Sequence, residues 1–380
     1  MIPYGRQEIT EKDIKAVVDV LRSDFLTQGS VVPEFEHKLC EYTGVENAVA
    51  VNSCTSALHI ACLALNLGPG DILWTSPISF VASANCGLYC GASVDFVDVN
   101  PDTALMSVNA LESKLEQAKQ QGKLPKIVIP VHLAGQSCDM KAISKLGEKY
   151  NFRIIEDAAH AIGASYLNKN VGSCQYSDIT VFSFHPVKVI TTGEGGTALT
   201  NNLEVAKKMQ LLRSHGITRD SKEMTNSIVS DWYYEQISLG FNYRMTDFQA
   251  ALGISQLSRL DEYVAKRSKI AHWYDEQFSN MTVIPLSDAG YGSSSHHLYV
   301  VRVKNGKDER DKLYNYLRKN GISVNLHYIP IYRQPFFNRK IRLFGVEKYF
   351  ESAISLPIFP KLSKKDLKKI ITVIYKFYEN

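Results

Sequence analysis

The sequence predicts an α/β protein: a largely parallel sheet with helices on both faces, followed by a smaller α+β lobe. Between Ala48 and Ala198, short apolar segments alternate with helical patterns, which is the rhythm of strand–helix–strand units. At 380 residues, the chain is too long for one small domain. Apolar residues make up 45% and charged residues 22%, as is typical of a globular protein with a large core.

Helical spacing and short apolar runs define the elements of the larger lobe. Thr10 followed by Asp13 predicts an N-cap, and the next helix carries apolar residues at Ile14, Val17, Val18 and Leu21. Helical patterns at 55–68 and 139–151 lie between predicted strands. The predicted strands are 48–51, 72–75, 93–99, 126–131, 152–156, 179–184 and 196–200. In such sheets ligands bind beyond the carboxyl ends of the strands, so a site is expected there.

The C-terminal third predicts a second lobe. Residues 246–271 have the pattern of one long helix that links the lobes. Beyond it come the segments 296–303 and 322–328, a helix near 308–319, and a basic helix from about Lys364 whose lysines form a solvated face. We therefore expect an N-terminal arm and large domain over 1–245, and a linker helix and small domain over 246–380.

Composition and simple motifs exclude several functional classes. The formal charge is +4, from 43 basic and 39 acidic residues, too balanced to indicate a nucleic-acid partner. No apolar signal core opens the chain and no run approaches 18 apolar residues, so we expect a cytoplasmic protein without a membrane span. The seven cysteines form no C-x-x-C pair and the ten histidines no H-E-x-x-H motif. Reduced thiols and no catalytic metal are expected.

The segment VNSCTSALHIA (51–61) combines a strand end, a polar turn and a helix start. Ser53, Thr55 and Ser56 fall where the helix begins. Free backbone N–H groups and the helix dipole make such a terminus an anion site, and hydroxyls add donors. Simple N-capping is the alternative, and this segment alone does not decide between them.

Two acidic residues end the strand in RIIEDAAHAIGA (153–164). Glu156 and Asp157 lie at the carboxyl end of a segment predicted to be buried, where a carboxylate needs a partner. Asp157 either caps a following helix or faces a protonated ring nitrogen.

A lysine follows the next strand in SFHPVKVITTGEGG (183–196). Lys188 and Asp157 should emerge at the same edge of the sheet, beside the anion site. An amine, a carboxylate and a phosphate site together match pyridoxal 5′-phosphate (PLP): the amine forms a Schiff base with the aldehyde, and the carboxylate keeps the ring nitrogen protonated.

The glycines at 193–196 have a second interpretation. GEGGTA (193–198) satisfies the dinucleotide pattern G-x-G-x-x-A, but that pattern must open a helix, whereas TALT predicts extended backbone. We expect a tight turn with close backbone approach instead.

Five segments in order carry a family resemblance. They are VNSCTSALHIA, SPISFVASAN, IIEDAAHAIGA, SFHPVKVITTGEGG and GFNYRMTDFQAALGISQL. The chain resembles, over essentially its whole length, the DegT/DnrJ/EryC1/StrS family of PLP-dependent sugar aminotransferases. The resemblance implies the aspartate-aminotransferase-like fold (fold type I) and a homodimer with shared active sites.

The resemblance also implies roles around the cofactor. Lys188 is the Schiff-base lysine and proton shuttle, and Asp157 the partner of the pyridine nitrogen. Phe80 stacks on the ring, with core packing as its alternative. His160, where many relatives have Gln, lies near the phenolic oxygen. The phosphate ligands are Thr55, Ser56, Ser183 and, from the neighbouring subunit, Asn242.

Further residues are assigned to the substrates on the same basis. Arg244 either contacts a donor carboxylate or braces the dimer. The segment 25–28 either binds sugar nucleotide or only turns the chain. The implied sugar-nucleotide residues are Tyr4, Phe25, Leu26, Thr27, Gln28, His327, Tyr328, Ile329 and Pro330, with Ser56 and Asn242.

The resemblance implies transfer of an amino group from L-glutamate, which leaves as 2-oxoglutarate. The acceptor is C4 of a UDP-linked 4-keto-6-deoxy-N-acetylhexosamine, in pseudaminic acid (nonulosonate) biosynthesis. Amination at C3 or of a dTDP-sugar is an alternative. Others are a non-catalytic PLP-fold binding or regulatory protein and a sugar-nucleotide binder without PLP. Family 3-dehydrases carry His at the lysine position, and Lys188 argues against that activity.

Overall fold

A computed structural model describes residues 1–226, 230–279 and 281–379. The elements up to residue 257 are α1 (Glu11–Leu21), α2 (Val31–Thr43), β1 (Asn47–Val51), α3 (Cys54–Ala64), β2 (Ile72–Thr75), α4 (Ala82–Tyr89), β3 (Ser93–Phe96), α5 (Val108–Gln120), β4 (Ile127–Ile129), α6 (Met140–Tyr150), β5 (Arg153–Asp157), β6 (Ser165–Tyr166), β7 (Lys169–Asn170), β8 (Ile179–Ser183), β9 (Gly196–Thr200), α7 (Leu203–Arg213), β10 (Ile217–Thr218), β11 (Glu235–Gln236) and α8 (Asp247–Leu257). The later elements are α9 (Leu260–Phe278), β12 (Ile284–Pro285), β13 (Tyr299–Arg302), α10 (Lys307–Lys319), α11 (Phe344–Ser352), β14 (Ala353–Leu356) and α12 (Lys364–Glu379).

A seven-stranded sheet organises the larger lobe, in the order β1-β9-β8-β5-β4-β2-β3. The pairs from β8 through β5, β4 and β2 to β3 are parallel, as the alternating pattern predicts. Strand β1 points the same way, because it pairs antiparallel with β9, which itself pairs antiparallel with β8. The carboxyl ends of β1, β5 and β8 therefore meet at one edge.

The single reversed strand, β9, follows from the connection before it. Residues 184–195 fold back as a compact loop: Phe184 N donates to Gly195 O at 2.9 Å, and Thr192 N donates to Phe184 O at 3.0 Å. A parallel neighbour would require a longer crossover, usually a helix. Gly196 begins a strand and not a helix, so the dinucleotide interpretation of GEGGTA is excluded, as expected.

The prediction of one helix over 246–271 is wrong. Helix α8 ends at Leu257 and α9 begins at Leu260. At the break, Arg259 donates through Nη2 to both carboxylate oxygens of Asp13, at 2.6 and 2.7 Å, and through Nε to the Tyr263 hydroxyl at 3.0 Å. The break thus coincides with a tertiary ion pair to α1, a partner that helical periodicity does not reveal.

The N-terminal cap is confirmed, but the apolar stripe behind it is not buried. Thr10 and Asp13 form a capping box at the start of α1. On this single chain, however, Ile14 and Leu21 are exposed, whereas Asp13 and Val20 are buried.

The C-terminal segment builds its own apolar core. Strands β12, β13 and β14 form a small antiparallel sheet against α9, α10 and α12. The segment 322–328 contributes only isolated bridges, Ile2 with Ile322 and Asn325 with Ser355. Lys364, Lys365, Lys368 and Lys369 of α12 face solvent, as predicted for a solvated basic face. The buried residues of this helix are Leu367, Ile370, Val373 and Ile374. The domain boundary at 245/246 stays a prediction.

All seven cysteines are free thiols, five of them buried. Among the described residues, no helix is both long enough and apolar enough to cross a bilayer.

Candidate active site

A cavity of about 830 Å³ opens at the carboxyl edge of the sheet. It lies where β1, β5 and β8 end, beside the amino end of β9, as the strand order requires. Nine residues singled out in the sequence line it: Ser53, Thr55, Ser56, Phe80, Asp157, His160, Ser183, Lys188 and Tyr328.

The start of α3 forms one wall of the cavity. Ser53 is the N-cap, and its Oγ accepts from Ser56 N at 3.1 Å. The Ser56 hydroxyl donates to Asn52 Oδ1 at 2.6 Å. N-capping does not exclude an anion site here, because Thr55 and the start of α3 still line the cavity.

Close packing holds this helix end against the sheet. A Cβ built on Gly196 would lie 2.5 Å from the backbone nitrogen of Cys54. Only glycine therefore fits where β9 crosses beneath α3, which explains one glycine of the GEGG segment.

Asp157 presents a fixed carboxylate to the cavity. The residue is 4% exposed; its Oδ2 accepts from the Ser83 hydroxyl at 2.6 Å and its Oδ1 from Ala159 N at 3.1 Å. The Ser83 hydroxyl also lies 2.6 Å from that of Ser79. A turn and not a helix follows Asp157, so helix capping does not explain it.

The neighbouring carboxylate, Glu156, lies outside the cavity, because successive strand residues face opposite sides. It accepts hydrogen bonds from His132 Nε2 at 2.7 Å, Ser177 Oγ at 2.5 Å and Thr180 Oγ1 at 3.0 Å. Burial opposes ionisation, but these bonds keep the pKa of Glu156 below its usual value.

Lys188 lies in the loop after β8, with its amine in the same cavity as Asp157. Burial lowers the pKa of Lys188 to about 8, although the negative charge of Asp157 acts in the opposite direction. About a tenth of the amine is therefore neutral at pH 7, far more than for a solvated lysine. Such an amine is available as a nucleophile and as a base.

Aromatic and imidazole groups also line the cavity. Phe80 is 60% exposed and lines the cavity, so it is not a core residue. Its ring lies 6.4 Å from that of Tyr328. The Tyr328 hydroxyl is 3.1 Å from His160 Nε2, and His160 is buried.

The other sequence-predicted residues do not line the cavity of one chain. Tyr4 and His327 contact each other at 5.5 Å between ring centroids, next to Tyr328. Asn242 is exposed, and its carbonyl accepts from Asn52 Nδ2 at 3.5 Å. The backbone of Arg244 forms an isolated antiparallel β-bridge with Val51.

The segment 25–28 is exposed, and its backbone contacts the start of α8. Leu26 O accepts from Asp247 N at 2.9 Å, at the start of α8. Ile329 and Pro330, also assigned to the sugar nucleotide, do not line the cavity either. Ile329 is exposed and Pro330 is buried.

Several residues that line the cavity were assigned no role from the sequence. Ser79 and Ser83 flank Phe80 in SPISFVASAN, and their four-residue spacing was the available signal. Gln249 was visible as the third residue after the Thr246 N-cap of α8; its Nε2 donates to Glu194 O at 2.9 Å. Glu194 and Cys54 also line the cavity, without a sequence signal beyond their position in the motifs.

The donor set fits PLP. A helix terminus with hydroxyls suits a phosphate dianion, a buried carboxylate suits a protonated ring nitrogen, and a lysine with a depressed pKa suits an aldehyde. Among the described residues, no three His, Cys, Asp or Glu side chains are grouped to hold a metal ion.

Comparison with known proteins gives a consistent result. Residues 7–375 match the model of the DegT/DnrJ/EryC1/StrS aminotransferase family. The UDP-4-amino-4,6-dideoxy-N-acetyl-beta-L-altrosamine transaminase of Campylobacter jejuni is 39% identical, over 100% of this chain and 98% of its own length. The spore coat polysaccharide biosynthesis protein SpsC of Bacillus subtilis is 35% identical, over 98% and 96%.

Solved structures show the same likeness. Helicobacter pylori PseC, an aminotransferase involved in the biosynthesis of pseudoaminic acid, superposes with a TM-score of 0.90 at 34% identity, covering 100% of this chain and 99% of that one. The putative sugar aminotransferase Spr1654 of Streptococcus pneumoniae, in its PMP form, gives 0.90 at 31% identity with the same coverage. The fold is therefore the fold type I predicted from the sequence, and the chain belongs to the DegT/DnrJ/EryC1/StrS aminotransferase family and is a PLP-dependent aminotransferase.

Proposed function

We propose that this enzyme transfers an amino group from L-glutamate to C4 of a UDP-linked 4-keto-6-deoxy-N-acetylhexosamine, as a step toward pseudaminic acid. The observation that carries the chemistry is the Lys188 amine, with a pKa of about 8, in one cavity with Asp157 and the start of α3. The choice of sugar rests on relatives: the Campylobacter transaminase and Helicobacter PseC both match over nearly their whole length.

Bound PLP supplies a conjugated ring that takes up the electron pair released when a proton leaves the substrate carbon. Asp157 would keep the proton on the ring nitrogen, and Ser83 donates to that carboxylate and so orients it. The Lys188 amine would accept the proton from the substrate carbon and later return it. Thr55, Ser56 and Ser183 would hold the phosphate, and Phe80 would cover the ring face.

Sugar-nucleotide binding is assigned to the residues around Tyr328. Tyr4 and His327 pack together beside the cavity. With Ile329 and Pro330, which follow Tyr328 in the chain, they make up the proposed sugar-nucleotide rim. The segment 25–28 and Asn242 would complete this rim from a second subunit.

A homodimer with shared sites is part of the proposal. Among the described residues that line the cavity, Lys188 is the only lysine or arginine. The cofactor phosphate, the glutamate carboxylates and a sugar diphosphate are all anions, so further donors are needed. The exposed apolar residues of α1 and the segment after it suit burial against a second copy: Ile14, Leu21, Phe25 and Leu26. We assign Asn242 to the phosphate of the cofactor bound in the partner subunit. Arg244 either contacts the carboxylate of the amino donor or braces the dimer.

A substrate panel tests the assignment. The protein is incubated with PLP, glutamate and UDP- and dTDP-linked keto sugars, and the position of the new amine is determined by NMR. We expect C4 amination of the UDP-linked 4-keto-6-deoxy-N-acetylhexosamine and none with Lys188→Ala. Amination at C3, or a preference for dTDP-sugars, would replace the substrate assignment; normal multiple turnover by Lys188→Ala would refute the mechanism.

A further inference from the structure

Both ring nitrogens of His160 are engaged by the protein. The backbone N–H of Ala134 donates to His160 Nδ1 at 3.3 Å, and Nε2 lies 3.1 Å from the Tyr328 hydroxyl oxygen. An amide N–H is only a donor, so Nδ1 carries no proton. The turn that supplies this amide is unusual, since Ala134 has a left-handed backbone with φ +61°.

His160 is neutral in this environment. Burial, together with the positive charge of Lys188, keeps the pKa of His160 well below its usual value. The ring of His297 lies 4.4 Å away between centroids, tilted by 53°, and is itself held neutral, chiefly by burial. A neutral imidazole with a bare Nδ1 carries its proton on Nε2. His160 therefore donates to Tyr328.

The Tyr328 hydroxyl is left with a free proton. It accepts from His160, and within the described parts of the chain no second hydrogen-bond partner of this hydroxyl is present. Burial and the nearby Asp157 carboxylate raise the pKa of Tyr328, so the hydroxyl stays protonated. Tyr328 lines the cavity, and a bound molecule is the available acceptor.

We propose that His160 is a positioning residue that acts through Tyr328. It occupies the oxygen lone pair of Tyr328 and so orients the hydroxyl as a hydrogen-bond donor toward an acceptor oxygen of the bound cofactor or sugar nucleotide. This proposal rests on the proposed function. It differs from the role that family resemblance implies, in which His160 itself reaches the phenolic oxygen of the ring.

Four variants separate these roles: Tyr328→Phe, His160→Leu, His160→Gln and the double variant Tyr328→Phe with His160→Leu. Glutamine can accept from Ala134 through its carbonyl and donate through its amide, so it preserves both bonds. Leucine preserves neither. Circular dichroism and melting of each variant establish that it is folded.

Two equilibrium readouts identify the acceptor. The pH midpoint of the visible absorption band of the PLP-bound protein reports on the phenolic oxygen. The dissociation constant of UDP-N-acetylglucosamine, by calorimetry, reports on sugar oxygens. Loss of one neutral hydrogen bond should shift the midpoint by about 0.5 to 1 pH unit or weaken binding by about 3- to 10-fold. Neither readout requires turnover. A wild-type protein that fails to transaminate would therefore refute the proposed function, but the comparison among the His160 and Tyr328 variants would remain valid.

We expect Tyr328→Phe and His160→Leu to change the same readout by similar amounts, the double variant to equal either single variant, and His160→Gln to stay close to wild type. The proposal is overturned if the two losses add in the double variant, if His160→Gln behaves like His160→Leu, or if Tyr328→Phe alters neither readout.

Discussion

Asp157 depends on one serine for its position. The Ser83 hydroxyl donates to Asp157 Oδ2 at 2.6 Å. A short hydrogen bond to a carboxylate is stronger than a hydrogen bond between two neutral groups. The other carboxylate oxygen accepts only the local amide of Ala159 among the described residues. Removing the serine bond should free the carboxylate to rotate and weaken its interaction with the ring nitrogen.

We therefore expect Ser83→Ala to reduce PLP affinity about tenfold with little change in stability. Equilibrium dialysis against PLP measures the affinity. Ser107→Ala is the control: it removes the N-cap of α5, whose Oγ accepts from Ala110 N, and should cost about 1 kcal/mol of stability without changing PLP affinity. Equal affinity of Ser83→Ala and wild type would show that Asp157 is oriented by other groups.

Lys188 gives the site a pH dependence of defined sign. Burial lowers the pKa of Lys188 from an ordinary 10.5 to about 8. Only the neutral amine attacks an aldehyde, so the rate of PLP uptake by apo-protein should rise about tenfold per pH unit below 8 and level off above it. Stopped-flow absorbance from pH 6 to 9.5 measures this rate, with Lys188→Ala to subtract the reaction of surface lysines. A rate that keeps rising to pH 9.5 would mean that Lys188 is a solvated lysine.

Tertiary contacts stabilise the junction between helices α8 and α9. Asp13 is fully buried, and Arg259 pairs with both of its oxygens. Burial favours the protonated acid, but Arg259 and Thr10 still hold the pKa of Asp13 below its usual value. A depressed carboxyl pKa stabilises the fold above the unfolded pKa, near 4, and this contribution is lost as pH falls through the folded-state pKa.

Arg259→Leu should therefore lower the free energy of unfolding at pH 7 by about 2–4 kcal/mol, because it leaves a buried carboxylate unpaired. Urea unfolding measures the change. Lys15→Ala is the matched control: it breaks the exposed pair with Asp19 on the same helix and should cost less than about 0.5 kcal/mol. Similar losses in the two variants would contradict this account of the helix break.

The sheet and the pairing of Asp157 with Lys188 in one site were predictable from the sequence for one reason. Asp157 and Lys188 follow strands β5 and β8, which pair in parallel, so their side chains meet at one edge without any knowledge of distant contacts. Ser53 and its helix were visible from the N-cap pattern. Local pattern and strand direction determine these features.

The remaining features depend on contacts between distant residues. The helix break needs Asp13, and the donor role of Tyr328 needs His160 and the left-handed backbone of Ala134. Periodicity carries no information on such pairs. The segment 25–28 lies outside the cavity of one chain, so its predicted role depends on a second subunit.

For the whole molecule, the shared-site proposal predicts complementation between two inactive variants. Lys188→Ala and Asn242→Ala are co-expressed with different tags and the mixed dimer is purified. If Asn242 serves the partner's site, each mixed dimer holds one intact site of two, so the purified mixed dimer should show about half of wild-type turnover. If both residues serve the same chain, mixing restores nothing, and full activity of Asn242→Ala alone would also reject the shared site.

Peptide mapping after borohydride reduction tests the covalent role of Lys188 most directly. PLP-bound protein is reduced, digested and analysed by mass spectrometry. We expect the phosphopyridoxyl mass on the peptide that contains Lys188, at near-complete occupancy. In Lys188→Ala, no peptide should carry this mass at a comparable yield. A phosphopyridoxyl group fixed on another lysine, with Lys188 unmodified, would contradict the assignment of this amine and the mechanism built on it.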